Sequence, residues 1–179
     1  INTKAQFGSL VAKEISRLTG ISFIEASNHF EAQGAQDAAV ETSGALKTIA
    51  VSLSKIANDI RWLGSGPRAG LGELILPAVQ PGSSIMPGKT NPVICEAMIQ
   101  GCAQVIGNDM AITIGGQGGV FELNLMLPLI AHNLTNSITI LSNSTNIFTE
   151  KLITGLKANK EKCAGYIEGS LAMCTSLAP

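Results

Sequence analysis

The chain has 179 residues, with 12 Lys plus Arg against 13 Asp plus Glu and a formal net charge of −1. This balance gives no electrostatic reason to expect a nucleic-acid or membrane partner. Only 14% of the residues are charged while 45% are hydrophobic, so a compact monomer would have little charge to cover its surface. We therefore expect an ordered domain that buries part of its surface against other chains.

The first half of the chain predicts two helices. Residues 2–19 form an amphipathic segment that ends at Gly20. From Glu31 to about Leu63, apolar residues recur at steps of four and three, which is a heptad seam typical of a long bundle helix. The seam, in which Thr42 fills one place, consists of Ala35, Ala39, Leu46, Ile49, Leu53, Ile56, Ile60 and Leu63.

A loop rich in glycine and proline follows, over residues 64–91. Long loops inside compact domains are frequently functional, which makes this segment the first place to look for chemistry. Pro92 suits the first turn of a third helix that runs to about Ile114, with Thr90 or Asn91 as its cap. The glycines of residues 115–119 predict the end of that helix rather than an anion cradle, because no Lys or Arg lies nearby.

A fourth helix is predicted from about Glu122 to Leu152, with a kink at Pro128. No Asp, Glu, Lys or Arg lies between Glu122 and Glu150, but repeated Asn, Ser and Thr residues argue against a transmembrane span. Charge returns beyond Gly155. The sequence thus predicts an all-α, long-helix bundle over residues 1–156, followed by the beginning of a small C-terminal helical domain over residues 157–179.

The four cysteines, at positions 95, 102, 163 and 174, show neither a C-x-x-C pair nor metal-ligand spacing. They predict buried or incidental thiols in a reducing compartment and no metal site. The chain has no recognisable signal peptide and opens without Met. Such an opening is typical of a cleaved product or a shortened chain.

The densest cluster of polar residues lies in the segment PGSSIMPGKTNP, residues 81–92. A phosphate-binding P-loop does not fit, because Ser83 stands where that motif requires Gly. Lys89, Asn91 and the loop N–H groups together suit an anionic substrate. A glycine-rich connector whose Ser and Asn side chains cap turns remains the alternative.

Residues 82–92 resemble the signature loop G-S-S-x-M-P-x-K-x-N-P of the fumarase/aspartase superfamily. Gly88 and the continuation Cys95-Glu96-Ala97 resemble class II fumarases more than aspartases. Four further segments are fumarase-like: residues 28–32, 55–62, 66–68 and 121–124. The resemblance covers essentially all of this chain but not the whole family protein, so we interpret the chain as a fragment of the family's central helical domain with the start of its C-terminal one.

The resemblance implies reversible hydration of fumarate to L-malate without a cofactor, in a homotetramer in the cytoplasm or mitochondrial matrix. Ser83 falls on the position of the catalytic base, and Glu96 on an acidic residue that pairs with the catalytic His. The remaining matched positions contact the dicarboxylate substrate: Ser84, Lys89 and Asn91.

The chemistry of the reaction agrees with these assignments. Removal of a C3 proton from malate leaves a doubly charged aci-carboxylate, which needs a cation such as Lys89 and nearby amide donors. A serine is a poor base unless its alkoxide is stabilised, and loop N–H groups near Ser83 can do this.

Neither histidine fits the catalytic context of the family, a Thr-His pair that should precede Ile1. His29 is predicted to be a cap or surface residue and His132 a hydrogen-bonded bundle residue. The chain alone is therefore expected to be inactive. Two alternatives remain: another lyase of the superfamily, chiefly aspartate ammonia-lyase, and a non-catalytic helical assembly protein.

Overall fold

The computed structural model describes residues 2–177, and this part of the chain is predominantly α-helical, which confirms the predicted all-α class. Four strands of two residues form two small antiparallel ladders. The helices are α1 (Phe7–Thr19), α2 (His29–Gly34), α3 (Asp37–Leu63), α4 (Val93–Gly116), α5 (Leu127–Lys151) and α6 (Lys160–Glu168). The strands are β1 (Leu74–Ile75), β2 (Gly119–Val120), β3 (Leu123–Asn124) and β4 (Lys157–Ala158).

Helix α4 lies at the centre of a three-helix bundle and packs against both α3 and α5. Its buried side chains recur every three or four residues, so that one helix contributes to the contacts with both neighbours. The core cluster consists of Ala50, Ala57, Ile60, Cys95, Met98, Cys102, Val105, Leu141, Phe148 and Leu152.

The buried seam of α3 is displaced from the predicted one. Leu46 and Leu53 pack against the core as expected, and Ile60 is buried in it. Ile49 is 49% exposed and Ile56 is 46% exposed. The small residues next to them in the sequence are buried against the core instead. Those buried small residues, Ser43, Ala50 and Ala57, let α4 approach closely with its larger side chains.

The long helix predicted from Glu31 is divided in two. Asn28 caps α2 by accepting hydrogen bonds from the N–H groups of Phe30 and Glu31. The backbone at Ala35 is extended and separates α2 from α3. Gly34 lies so close to the Phe121 carbonyl that a Cβ there would be 2.6 Å from its oxygen, so contact with another part of the chain accompanies the break.

The prediction of a kink at Pro128 was wrong, because Pro128 lies in the first turn of α5, where its missing N–H costs nothing. The helix begins later than predicted because β2 and β3 form a hairpin, with Phe121 at a φ of 53°. Asn124 fixes this turn: its amide donates to the Gly115 carbonyl and its oxygen accepts from the Met126 N–H.

A layer of polar side chains crosses the bundle. The Asp109 carboxylate is buried in α4 and accepts hydrogen bonds from Ser43 (2.8 Å) and Lys47 (2.6 Å) of α3. The preceding residue, Asn108, donates to Ser137 of α5 at 3.0 Å. The residues that we call the polar layer are Ser43, Lys47, Gln104, Asn108, Asp109, Asn136 and Ser137.

The C-terminal part of the described chain pairs with the loop that follows α3. Strands β1 and β4 form a ladder in which Leu74 faces Ala158 and Ile75 faces Lys157. Trp62 lies at the end of α3, just before this loop, and is 58% exposed, with the guanidinium of Arg61 6.0 Å from its ring centre. Within residues 2–177, no helix combines the length and apolar character needed to cross a membrane.

Candidate active site

The segment from Gly82 to Pro92, which we call the signature loop, is closed by backbone hydrogen bonds. The Gly82 N–H donates to the Lys89 carbonyl at 2.8 Å, and the Lys89 N–H donates to the Met86 carbonyl at 3.3 Å. Gly88 has a φ of 75°, a left-handed conformation that favours glycine. A Cβ at position 82 would lie 2.7 Å from the Lys89 oxygen, so the closure requires glycine there.

The side chain of Ser83 accepts two backbone hydrogen bonds within this loop. The N–H groups of Ile85 and Met86 both lie 3.2 Å from Ser83 Oγ. Two donors aimed at one oxygen stabilise negative charge on it. Ser83 is half-buried, so the residue is partly sheltered from water.

Asn91, near the end of the signature loop, lies next to Gly82 at its start. The Asn91 amide donates to the Gly82 carbonyl at 3.3 Å, next to Ser83. This bond replaces the predicted helix cap: α4 begins at Val93 after Pro92, without a side-chain cap bond from Asn91 or Thr90. The expected cap was therefore wrong, because the amide of Asn91 closes the loop instead.

The two remaining predicted substrate contacts, Ser84 and Lys89, are exposed. An exposed ammonium group presents three hydrogen-bond donors to an incoming anion. The structure thus places Ser83, Ser84, Lys89 and Asn91 on one closed loop at the start of α4.

Glu96 lies apart from the loop, half-buried in the first turn of α4. The helix dipole favours a negative charge there. The neighbouring thiol of Cys95 is buried, and this burial is the main reason that its pKa is raised. The positive charge of Arg61 opposes that rise in pKa and the negative charge of Glu96 adds to it, so a charge from α3 and one from α4 both act on Cys95.

The two histidines lie on other elements. His29 is an exposed residue beside the cap of α2, as predicted, with Nε2 3.2 Å from Glu25 Oε1. His132 lies on α5 and is exposed rather than enclosed in the bundle. Among residues 2–177, no group of three or more His, Cys, Asp or Glu side chains could hold a metal ion.

Sequence reasoning missed the polar layer. Its signal in the sequence was the adjacent polar pair Asn108-Asp109 in a mainly apolar helix, since Asp109 is one of two acidic residues between Pro92 and Phe121. Buried polar groups in such a position need partners on the neighbouring helices. The four cysteines are free, and Cys95 and Cys102 are buried as predicted.

A family profile described as Lyase matches residues 1–107 of the chain. The chain therefore belongs to this lyase family. The match includes the whole signature loop and extends into α4, so the residues that define the candidate site lie within the family's own pattern.

Individual curated proteins match the chain over its full length. The mitochondrial fumarate hydratase of Danio rerio is 53% identical and the class II fumarate hydratase of Thermosynechococcus vestitus is 52% identical, each over 179 residues. The chain covers 35% of the first protein and 38% of the second. These relatives confirm the resemblance to class II fumarases, and the chain spans little more than a third of their length.

Solved structures share the fold. A recombinant class II fumarase from Schistosoma mansoni superposes with a TM-score of 0.94 and 36% identity, over 100% of this chain and 40% of that one. A fumarate lyase:delta crystallin from Brucella melitensis superposes with a TM-score of 0.90 and 47% identity, over 96% of this chain and 40% of that one. The helical architecture is therefore that of the fumarase fold.

Proposed function

We propose that the protein containing this chain catalyses the reversible hydration of fumarate to L-malate. One observation carries the proposal: the half-buried Ser83 Oγ accepts two backbone N–H bonds within a closed loop. That arrangement supplies a stabilised serine base, and the full-length relatives that match the loop are named fumarate hydratases.

The proposed reaction begins at C3 of malate. Ser83 Oγ, as the alkoxide, takes the C3 proton while the electron pair of that bond moves into the adjacent carboxylate and forms an aci-carboxylate. The C2 hydroxyl then leaves as water after receiving a proton from an acid, and the electron pair forms the double bond of fumarate. The N–H groups of Ile85 and Met86 stabilise the negative charge on Oγ before the proton is taken.

The other site residues have binding and orienting roles in this proposal. The Lys89 ammonium offsets the charge of a substrate carboxylate, and Ser84 and Asn91 donate hydrogen bonds that orient it. Asn91 can do this while it holds Gly82, because its amide nitrogen carries two N–H groups. Glu96 acts indirectly, by pairing with the catalytic His.

We expect the 179-residue chain by itself to be inactive. Residues 28 and 131, which precede His29 and His132, are Asn and Ala, so neither histidine has the Thr-His context that the resemblance assigns to the acid. The direct test uses a chimera in which this chain replaces the matching 179 residues of the Thermosynechococcus vestitus enzyme. The chimera should form fumarate from malate, whereas the isolated chain should not.

The chimera separates the proposal from its alternatives. Fumarate formation from malate supports hydration, whereas preferential ammonia release from aspartate would identify an aspartate ammonia-lyase. A folded chimera that turns over neither compound would favour a non-catalytic assembly protein. Turnover by the isolated chain would show that the acid has been misassigned.

Ser83 can be tested as the base in the same chimera. We expect Ser83→Ala to lower kcat by about 10²-fold or more with little change in KM, because the hydroxyl acts on the proton during transfer. Lys89→Ala should lower kcat and raise KM, since it removes charge from both bound states. Thr90→Val is the matched control on the same loop and should leave both constants unchanged. A near-normal kcat for Ser83→Ala would exclude Ser83 as the base.

We also infer that the protein assembles as a homotetramer with α5 in its centre. The described chain exposes 12686 Å², whereas a compact monomer of its mass exposes about 8,200 Å². The uncharged α5 and the exposed Ile49 and Ile56 of α3 offer apolar surface for such contacts. Sedimentation of the chimera tests this: a stable monomer at micromolar concentration would contradict it.

The boundary between a central helical domain, residues 1–156, and the start of a C-terminal domain, residues 157–179, stays a prediction. The relatives include enzymes named mitochondrial, so the mitochondrial matrix and the cytoplasm are the proposed locations.

A further inference from the structure

The segment Gly155–Tyr166, which we call the C-terminal strap, holds the loop that leads to Ser83. Strand β4 of the strap pairs with β1, and the Asn159 N–H donates to the Glu73 carbonyl at 2.8 Å. Further along the strap, the Tyr166 hydroxyl donates to the Leu71 carbonyl at 3.0 Å. These bonds join residues more than 80 positions apart, so they fix the loop to a remote part of the fold.

Leu71 is the point at which the loop is held from both sides. Its N–H donates to Ser65 Oγ at 3.1 Å, and its carbonyl accepts from Tyr166. The surrounding residues 64–72 include four glycines and lie outside regular secondary structure. The backbone groups of Leu71 are therefore paired with side chains rather than with a neighbouring strand. The Lys162 ammonium lies 5.0 Å from the centre of the Tyr166 ring and helps to hold the phenol in place.

The strap also limits the position of the signature loop. Leu76 packs against the bundle core, and Pro77 abuts the strap at Gly155, where a Cβ would lie 2.7 Å from Pro77 Cγ. Four residues, 78–81, connect Pro77 to Gly82, and such a link spans at most about 17 Å. The place of Pro77 therefore restricts where the turn around Ser83 can lie.

We propose that Tyr166 is a positioning residue for the signature loop. Its hydroxyl holds the Leu71 carbonyl, and the rest of the strap holds the chain from Leu74 to Pro77. Because residues 71–77 are fixed in this way, the turn around Ser83 that follows them is restricted as well. The proposal deepens the proposed function and rests on it only for its catalytic consequence, since loop order can be measured without activity.

The first test is amide hydrogen exchange on this chain, comparing Tyr166→Phe with the unchanged sequence. Exchange at Leu71 and within β1 should become about fivefold faster, the size expected for the loss of one hydrogen bond. The Gly82 and Lys89 N–H groups, which close the signature loop, should also exchange faster, whereas the amides of α4 should be unchanged.

A matched control removes a hydroxyl that bonds within its own turn. Ser176 Oγ donates to the Met173 carbonyl three residues earlier, so Ser176→Ala should leave exchange at Gly82 and Lys89 unchanged. If Tyr166→Phe has no effect beyond Ile75, or if Ser176→Ala has the same effect, the proposal is overturned.

The second test measures kinetics in the chimera. If Tyr166→Phe reduces the fraction of molecules with an ordered signature loop, substrate has to select that fraction, and KM should rise about fivefold while kcat stays near its normal value. A purely structural defect would lower the amount of active enzyme, so kcat would fall at unchanged KM and the catalytic role would be overturned. A chimera that is inactive even with Tyr166, together with faster exchange at Gly82, would refute the proposed function while supporting the positioning of the loop.

Discussion

Asp109 and Ser83 are both polar side chains held by hydrogen bonds, but their partners lie at very different distances along the chain. Asp109 binds Ser43 and Lys47, which are 66 and 62 residues away on another helix. Ser83 binds the N–H groups two and three residues after it. The bonds of the polar layer thus join two helices, whereas those of the signature loop close a short segment and leave Ser84 and Lys89 exposed.

Thiol labelling gives the largest expected difference between the bundle and the segments outside it. Cys95 and Cys102 lie in the bundle core, Cys163 is half-buried near Glu73, and Cys174 is exposed. We expect Cys95 and Cys102 to react with iodoacetamide about 10³-fold or more slowly than Cys174, because labelling requires the core to open. Time-resolved mass spectrometry measures this, and all four should react alike in denaturant. Equal rates for Cys95 and Cys163 would show that the bundle and the C-terminal strap open together.

The same thiols predict how stability depends on pH. Burial raises the pKa of Cys95 and of Cys102 in the folded chain. At a pH between the unfolded-state and folded-state pKa of either thiol, the folded chain therefore keeps a proton that the unfolded chain has lost. The free energy of unfolding should therefore fall as pH rises above the ordinary thiol pKa of about 8.5. Urea unfolding at several pH values checks this, and Cys102→Ala should reduce the slope.

A pair of lysine substitutions on α3 tests the polar layer itself. Lys47→Met leaves the buried Asp109 carboxylate with Ser43 as its partner from α3. We expect the free energy of unfolding to fall by about 2–3 kcal/mol. This loss is small for a broken buried ion pair, because Lys47 itself is partly exposed. Lys55→Met breaks the exposed pair with Asp59 on the same helix and should cost about 0.5 kcal/mol or less. Equal losses would show that the polar layer does not stabilise the bundle.

Glycine substitutions give a smaller effect of opposite sign in the two regions. Gly107 lies in α4 with open space around its Cβ position, so Gly107→Ala should raise the free energy of unfolding by up to about 1 kcal/mol. Gly82→Ala pushes a Cβ against the Lys89 carbonyl and should open the signature loop, which faster exchange of the Gly82–Lys89 amides would report. If Gly82→Ala, like Gly107→Ala, stabilised the chain and left the signature loop closed, this difference would be contradicted.

Hydrophobic spacing predicted the existence of the long helices but only part of the buried face of α3, where Leu46, Leu53 and Ile60 do meet the core. The spacing favoured the large residues Ile49 and Ile56, yet the inward places belong to Ala50 and Ala57. The choice depends on the size of the opposing side chains of α4, such as Met98, and the sequence of one helix does not contain that information. A small residue such as alanine contributes little to the hydrophobic periodicity of a sequence, although its size decides how closely two helices approach.

The candidate site was predicted from residue types, whereas its geometry was not. Glycine, serine and lysine spacing identified the signature loop, but the Gly82–Lys89 closure and the use of Asn91 as its tie depend on backbone conformation. The β2–β3 hairpin was missed for a related reason: Phe121 adopts a positive φ, which its residue type disfavours. Contacts of Asn124 and Gly34 with distant backbone groups accompany that conformation.

The chain contains one tryptophan and one tyrosine, and both lie beside the loop that precedes the signature loop. Trp62 is at the end of α3 and Tyr166 is bonded to Leu71. Excitation energy absorbed by the phenol can pass to the indole, and the efficiency of this transfer depends steeply on their separation. The ratio of tyrosine to tryptophan emission is therefore an intrinsic optical readout of whether the strap is attached, and it requires no added label.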